Sequence, residues 1–345
     1  MKFPNTFLDY IPVPLIGSDE YKKGLISSYI NNRAEVPPIY ALLKVTERCP
    51  SNCSYCAHAG NLDASNEIDT ETLKTVIEQI AEVGVISVNL TGGEPLLRDD
   101  ICQLSLYARE WGLFPILLTN GLLICKRIEE IKAAKFGMII ISVDSVNPKQ
   151  YKETRGVKID PVLDGIDSLL KLKEECPIIT VTSVINRHNI NDIEKTIAYF
   201  ASRNIGVELC PYHHNGRWED DRLTPENYEE YTLLIQRLKV IKESQGGIIN
   251  SNAYLDNFVN FSLKKRGVPK SFCCYAGYTT IYIDSRLNVR TCWSAGLPTA
   301  GNLTKQRLAD LLKNDKMTKM RTKIQKMKCE RCWLLCTAEI SLKWQ

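Results

Sequence analysis

Three cysteines near the start of the chain have a spacing that suits metal chemistry. Cys49, Cys53 and Cys56 lie in the segment CPSNCSYC, directly after an apolar run at residues 40–45. Thiolates at such short spacings hold iron–sulfur clusters, and three of them leave one iron of a cube without a protein ligand. A small molecule can bind that open iron. The spacing alone leaves zinc binding and thiol–disulfide exchange as alternatives.

A second group of cysteines lies near the end of the chain. Cys274 precedes an alternating segment, TTIYIDSRLNVRTCW, which predicts a β-hairpin that ends at Cys292. The later segment CERCWLLC adds Cys329, Cys332 and Cys336. Two thiolates from each part can complete a fully ligated iron–sulfur cluster or a four-cysteine zinc site. The isolated cysteines are predicted to be small buried hydrophobes: Cys102, Cys125, Cys176 and Cys210.

Composition excludes several classes of protein. The chain has 345 residues, 13 cysteines and a net charge of +4, which is no argument for nucleic-acid binding. It contains no apolar stretch of about 18 residues and no signal segment, so we expect no membrane span and a cytoplasmic location. In that compartment, many cysteines favour metal binding over disulfides.

Strand-like and helix-like segments alternate through the middle of the chain, which predicts parallel βαβ units. We predict an α/β fold, a partial (β/α)6 TIM-like barrel of parallel strands followed by a small cysteine-rich domain that holds an auxiliary cluster. The predicted strands are 41–45, 85–90, 114–118, 138–143, 178–185 and 206–210. The predicted parts are an N-terminal extension (1–40), the barrel (41–215), a helical connection (216–270) and the auxiliary domain (271–345).

The polar loops that follow these strands carry a family resemblance. CPSNCSYC followed by TGGEP at the end of the next strand resembles the radical S-adenosylmethionine (SAM) superfamily, as do TNG and ISVDS after later strands. The C-terminal cysteines resemble the Twitch and SPASM auxiliary-cluster extensions, although Leu287 stands where that family has glycine. With only three cysteines in the tail, we expect one auxiliary [4Fe–4S] cluster, held by Cys274, Cys292 and two of the three.

The resemblance implies a function and a set of contacts. SAM would chelate the open iron of a [4Fe–4S] cluster, and its reductive cleavage would give a 5′-deoxyadenosyl radical that abstracts a substrate hydrogen atom. The residues expected to contact SAM are Tyr55 on adenine, Gly92, Gly93 and Glu94 on the methionyl end, Ser142 and Asp144 on ribose, and Asn186.

The loop after the sixth strand is the expected place for substrate contacts. The catalytic candidates there are Tyr212, His213, His214 and Arg217. Only about 40 residues precede the first strand, which we take as absence of a leader-binding domain. We therefore expect a small-molecule substrate that is oxidised or remodelled, and a flavodoxin- or ferredoxin-like electron donor. The alternatives are a peptide-modifying (RiPP) maturase or epimerase, and a non-catalytic iron–sulfur or zinc protein.

Overall fold

A parallel sheet forms the centre of the fold. The computed structural model describes residues 3–4, 6–11, 18–212, 225, 227–263, 268–269, 271–293, 297–329 and 332–345. Six parallel strands follow one another in chain order: β1 (Tyr40–Thr46), β2 (Ser87–Gly92), β3 (Phe114–Thr119), β4 (Met138–Ser142), β5 (Ile178–Ile185) and β6 (Gly206–Pro211). The predicted partial barrel of parallel strands is confirmed.

Helices connect and cover these strands. They are α1 (Asp19–Asn31), α2 (Thr70–Glu82), α3 (Ile101–Glu110), α4 (Ile128–Ala134), α5 (Pro148–Arg155), α6 (Asp160–Leu170), α7 (Ile193–Ala201), α8 (Tyr228–Ser244), α9 (Asn252–Asp256), α10 (Phe258–Leu263), α11 (Leu308–Leu311), α12 (Asp315–Gln325) and α13 (Ile340–Leu342). The amphipathic helix α2 buries Leu73, Ile77 and Ile80 against the outer face of the sheet. None of the helices in the described residues is long and apolar enough to cross a membrane.

The predicted C-terminal hairpin continues the barrel sheet. Strand β7 (Thr280–Ile283) pairs in parallel with β1, and β8 (Asn288–Arg290) and β9 (Gly301–Asn302) follow in antiparallel order. The sheet is thus continuous across the predicted boundary at residue 271, and the division into domains stays a prediction.

The backbone of the turn between β7 and β8 explains why the Twitch and SPASM extensions, which the C-terminal cysteines resemble, have glycine at the position of Leu287. Leu287 lies there in the left-handed region, with φ +62°. That conformation costs a side-chain-bearing residue about 1–2 kcal/mol. The Leu287 side chain is almost fully buried, which contributes about 1.5–3 kcal/mol. Burial therefore offsets the strain, and leucine can occupy the position.

Both ends of the chain close the amino-terminal end of the barrel. Leu25 of α1 packs in one buried cluster with inward-facing residues of the strands, including Met138, and with Ile340. The rings of Tyr21 and Trp344 lie 5.2 Å apart, and the Tyr21 hydroxyl donates to the carbonyl of Pro37 at 2.9 Å. These contacts leave the opposite, carboxyl-terminal end of the strands for the loops that carry the candidate site.

This packing predicts the effect of shortening side chains on α1. Leu25→Ala should lower the free energy of unfolding by about 2–5 kcal/mol, because it opens a cavity in the buried cluster that closes the amino-terminal end of the barrel. Ile30→Ala is the matched control, since Ile30 on the same helix is 74% exposed and its truncation should change stability by less than about 0.5 kcal/mol. Urea denaturation measures both. Equal effects would show that α1 does not close the barrel.

Candidate cofactor and substrate site

The three N-terminal cysteines converge on the loop between β1 and α2. Cys49 and Cys53 are buried and Cys56 is partly exposed. Burial raises the pKa of the Cys53 thiol to about 11, and the nearby Cys56 and Cys49 thiols add to the rise while Arg155 opposes it. Each thiol therefore lies within electrostatic range of the others. This donor set on one loop fits a cluster with three protein ligands.

Helix α5 holds this cysteine loop in place. The backbone N–H groups of Asn52 and Ser54 donate to the carbonyls of Arg155 and Thr154 at 3.1 and 3.0 Å. Gly156 follows, with φ +69°, and a Cβ there would lie 2.7 Å from the Asn52 carbonyl oxygen. The close approach of the two backbones requires a glycine at this position.

The two glycines of TGGEP bring the loop after β2 against the loop after β1. A Cβ on Gly92 would lie 2.2 Å from the Thr46 carbonyl oxygen, and one on Gly93 would lie 2.2 Å from that of Arg48. The Gly93 N–H donates to the Thr46 carbonyl at 2.9 Å. Packing between the chain's own backbones thus accounts for both glycines, and their predicted contact with SAM stays a prediction.

Glu94 joins the same region to the end of β3. Its carboxylate accepts hydrogen bonds from the Leu96 N–H at 2.9 Å, the Thr119 hydroxyl at 2.7 Å and the Asn120 N–H at 2.7 Å. Burial raises the pKa of Glu94 to about 7, and these donors oppose the rise. The Asn120 amide lies 3.7 Å from Cys49 Sγ. Sequence reasoning did not select Asn120, although the TNG motif pointed to it.

Asp144 is committed to contacts within the protein. Its carboxylate accepts from the Tyr55 hydroxyl at 2.7 Å, from Arg155 Nε and Nη2 at 2.7 and 2.8 Å, and from the Val184 N–H at 2.9 Å. Burial works to lower the pKa of Arg155, but Asp144 holds that pKa well above its ordinary value. The expected ribose contact of Asp144 stays a prediction, whereas its pairing with Arg155 was missed.

The other predicted contact residues lie around the same strand ends. The buried Asn186 amide donates to the Val184 carbonyl at 3.1 Å and accepts from the His188 N–H at 2.9 Å. Ser142 ends β4 opposite Thr182, and the rings of Tyr55 and Tyr212 meet edge to face at 6.1 Å. Their roles stay predictions. The candidates His213, His214 and Arg217 lie outside the described residues.

A cavity of about 290 Å³ extends from the cysteine loop into the barrel. Its lining includes Cys56 from that loop, Leu42 and Ile140 from the strands, and Leu334 and Cys336 from the C-terminal segment. Most lining residues were not predicted. The strands are buried on both faces, so their sequence shows no alternation that would mark the inward side.

Two ionisable side chains, Lys44 and Glu208, lie in different parts of this cavity. Lys44 Nζ lies 3.1 Å from Glu47 Oε1 and 2.9 Å from His58 Nε2, beside the cysteine loop. Burial lowers the pKa of His58, and Lys44 adds to that shift, so the imidazole accepts from the lysine. Glu208, on β6, is almost fully buried and accepts from the Thr182 hydroxyl at 3.2 Å.

The C-terminal cysteines also converge. Burial raises the pKa of the Cys274 thiol well above its ordinary value, and Cys332, Cys292 and Cys329 add to the rise. Cys336 lies toward the cavity, near Cys332 and Cys210. Within the described part of the chain, no three His, Cys, Asp or Glu side chains lie close enough for a single metal ion. A cuboidal cluster is wider than one ion, and the four thiols of Cys274, Cys292, Cys329 and Cys332 fit it as a donor set.

The tail segment is fixed by aromatic packing next to these cysteines. The fully buried Trp333 stacks on Tyr254 with ring centres 5.6 Å apart. The Tyr254 hydroxyl donates to the Trp333 carbonyl at 2.7 Å, and the Trp333 indole donates to the Tyr254 carbonyl at 3.0 Å. Cys332, next to Trp333, is thereby held against the body of the protein.

The buried ion pair predicts a large loss of stability in Asp144→Asn. That change leaves the Arg155 guanidinium buried without its counter-charge, which should cost about 3–5 kcal/mol. Glu194→Gln is the control, because its pair with Arg237 is exposed and worth less than about 1 kcal/mol. Denaturant unfolding measures both variants. A loss in Asp144→Asn as small as the control's would mean that another group compensates Arg155.

The raised pKa of Glu208 predicts that the stability of the protein depends on pH. Burial raises its pKa from 4.5 to about 8, and Glu339 adds to the rise. The folded protein therefore keeps a proton that the unfolded chain releases, so this contribution to stability is lost as pH rises through that range, with a slope of up to about 1.4 kcal/mol per pH unit. Glu208→Gln should gain stability relative to the parent protein between pH 5 and 8 in urea unfolding. For Glu110→Gln, at an exposed position, the free energy of unfolding should change with pH as it does in the parent. A Glu208→Gln curve parallel to that of the parent would contradict the raised pKa of Glu208.

Two families match the chain at the places that this geometry singles out. The family described as the Radical SAM superfamily matches residues 43–200. The family described as an iron–sulfur cluster-binding domain, SPASM, matches residues 273–333. The first range spans the cysteine loop and the strands up to β5, and the second spans the hairpin and the first two tail cysteines.

Curated relatives match about half of the chain. PqqA peptide cyclase of Xanthomonas campestris pv. campestris (strain B100) is 32% identical over 215 residues, covering 61% of this chain and 57% of that protein. GTP 3′,8-cyclase of Alkaliphilus oremlandii is 30% identical over 192 residues, covering 53% and 60%. The chain spans about half the length of the curated relatives it matches, since PqqA peptide cyclase of Ruegeria pomeroyi is matched over 48% of its length, at 30% identity over 51% of this chain.

Solved structures share the fold. Streptococcus suis SuiB bound to precursor peptide SuiA superposes with a TM-score of 0.68 at 17% identity, covering 91% of this chain and 74% of that one. Native anSMEcpe with bound AdoMet and Cp18Cys peptide gives a TM-score of 0.64 at 17% identity, covering 86% and 88%. At these identities the likeness concerns the fold alone.

These comparisons correct one expectation and confirm another. The preference for a small-molecule substrate over a peptide is wrong, because several of the relatives matched are peptide cyclases. The number of residues before the first strand was a poor guide to substrate class. The expected cofactors are confirmed, since the first domain implies SAM and a [4Fe–4S] cluster and the second implies auxiliary iron–sulfur clusters. The chain therefore contains a radical SAM domain followed by a C-terminal iron–sulfur domain of the SPASM/Twitch type.

Proposed function

We propose that this enzyme modifies a peptide by oxidation, starting with abstraction of one hydrogen atom from a residue of that peptide. When bound, SAM and its cluster supply the 5′-deoxyadenosyl radical that removes the hydrogen atom. The observation that carries the proposal is the cavity between the two groups of cysteines, because Cys56 and Cys336 line the same space. A substrate residue in that space lies between both cofactor sites.

The thiols have separate tasks in this proposal. Cys49, Cys53 and Cys56 hold the SAM cluster, supported by their convergence on one loop that α5 anchors. The auxiliary cluster takes Cys274, Cys292, Cys329 and Cys332, supported by the electrostatic coupling of the last three to Cys274. Cys336 also lies near Cys332 and Cys274, but it lines the cavity, so we propose it as the tail cysteine that faces the substrate.

A peptide substrate is supported by the relatives and by the size of the cavity. PqqA peptide cyclases match the chain at 30–32% identity, and the fold is that of SuiB, solved with a precursor peptide. A cavity of about 290 Å³ is at the lower limit of ordinary ligand pockets, which suits one side chain of a peptide whose remainder lies outside.

The radical chemistry is tested by anaerobic reconstitution with iron and sulfide, followed by SAM and dithionite. The parent protein should form 5′-deoxyadenosine, and Cys53→Ala should lose this product together with part of its iron. Cys125→Ser is the matched control, because Cys125 belongs to neither group of thiols and is exposed, contrary to its predicted burial, and it should keep both. Filled clusters without 5′-deoxyadenosine in the parent protein would instead identify a non-catalytic iron–sulfur protein.

The peptide step is tested with short peptides encoded beside the gene. Mass spectrometry of the incubated peptide should show a loss of two mass units, which corresponds to two hydrogen atoms: one taken by the 5′-deoxyadenosyl radical, and one leaving as a proton and an electron that the auxiliary cluster would accept. An unchanged mass with an inverted stereocentre would indicate an epimerase and would contradict oxidation. No change in any neighbouring peptide, despite formation of 5′-deoxyadenosine, would contradict the choice of substrate.

A further inference from the structure

The inner part of the cavity contains two buried hydrogen-bond acceptors that lack a donor. Glu208 is 3% exposed, and its Oε2 accepts from Thr182, but its Oε1 has no hydrogen-bond partner among the described residues. Asn89 is 2% exposed, and its Nδ2 donates to the Tyr40 hydroxyl, while its Oδ1 likewise has no partner in the described structure. Both residues line the cavity.

Such acceptors point to a ligand that brings donors. A buried polar atom without a partner costs about 1–3 kcal/mol, and native proteins contain few of them. Two such acceptor atoms in one cavity, one of them on a carboxyl group, therefore favour a ligand group that carries several N–H bonds. A second carboxyl, that of Glu339, lies within electrostatic range of Glu208. Once ionised, the Glu208 carboxylate favours a cation over a neutral donor.

The remaining walls define the shape of that ligand. Leu42, Leu118 and Ile140 give the cavity apolar sides, which suit a chain of methylene groups. Lys44 also lines the cavity, but its ammonium group contacts Glu47 and His58 beside the cysteine loop and is not the counter-charge of Glu208. An aliphatic stem with a single charged tip fits a space that is apolar along its sides and acidic at its inner end.

We propose that Glu208 and Asn89 bind the ammonium group of a lysine-type side chain of the substrate peptide, with the aliphatic stem lying against Leu42, Leu118 and Ile140. This inference rests on the proposed peptide substrate and names the class of residue that enters the cavity. The stem of that residue then lies between the cysteine loop, represented by Cys56, and the inner end of the cavity.

The titratable groups around Glu208 make the binding depend on pH in a defined way. Its neighbours are Glu339, Tyr10, Tyr40 and Cys210. Burial raises the pKa of Tyr10 and of Cys210 to about 12, and that of Tyr40 still further, so these three stay neutral between pH 6 and 8. Over that range Glu208, whose pKa is about 8, loses its proton, while a lysine ammonium, with an ordinary pKa of about 10.4, stays charged. Cation binding should tighten with rising pH.

The test uses the reconstituted enzyme with SAM bound and two probes, N-acetyl-lysine N-methylamide and its neutral norleucine counterpart. Isothermal titration should show at least tenfold tighter binding of the lysine probe, and its affinity should rise at least tenfold from pH 6 to pH 8. Glu208→Gln should remove both the preference and the pH dependence. Glu110→Gln is the control, because Glu110 is exposed and does not line the cavity, and it should keep both the preference and the pH dependence.

The outcomes separate this inference from the proposed function. Equal affinity for the two probes, or unchanged lysine binding in Glu208→Gln, overturns the inference. Formation of 5′-deoxyadenosine by the parent enzyme is measured in the same preparation. Its absence would refute the radical chemistry itself, whereas its presence without lysine preference refutes only the assignment of Glu208 and Asn89.

Discussion

The buried contact between Asp144 and Arg155 is the interaction on which the candidate site depends. Taking both charges out of water is costly, and the cost is offset only when hydrogen bonds satisfy the carboxylate and the guanidinium. Here Asp144 receives four hydrogen bonds, from Arg155, Tyr55 and the backbone of Val184. Tyr55 belongs to the cysteine loop and Val184 to β5. One ion pair therefore connects the loop, helix α5 and two strands.

The same helix also fixes the position of the thiols. The carbonyls of Thr154 and Arg155 accept from the cysteine loop, so the residue that neutralises Asp144 also holds the loop backbone. On the other side, the glycines of TGGEP allow the neighbouring loop to lie against Thr46 and Arg48. The thiols are thus held between two rigid supports. A cluster with an open iron needs this, because only three side chains attach it to the protein.

The sequence predicted the elements of the fold better than the partners of individual residues. Alternating strands and helices indicated the parallel barrel, and short cysteine spacings indicated both clusters, because both patterns are local. Asp144 and Asn186 stand at strand ends where ligands bind, yet in the structure they bind Arg155 and the Val184 carbonyl. Glu208 was missed, since a strand with both faces buried does not show which of its residues point inward.

The C-terminal segment connects the auxiliary cysteines to the closure of the barrel. After Cys336 the chain continues into α13, where Ile340 joins the buried cluster of α1, and it ends with Trp344 against Tyr21. Before Cys336, two reciprocal hydrogen bonds between Trp333 and Tyr254 hold the chain in place. The segment that lines the cavity is therefore fixed on both sides. Since the cavity lies between this segment and the cysteine loop, a side chain that enters it meets walls of fixed geometry. Selection of that side chain then depends on the few polar groups inside, of which Glu208 is an acid without a counter-charge among the described residues that line the cavity.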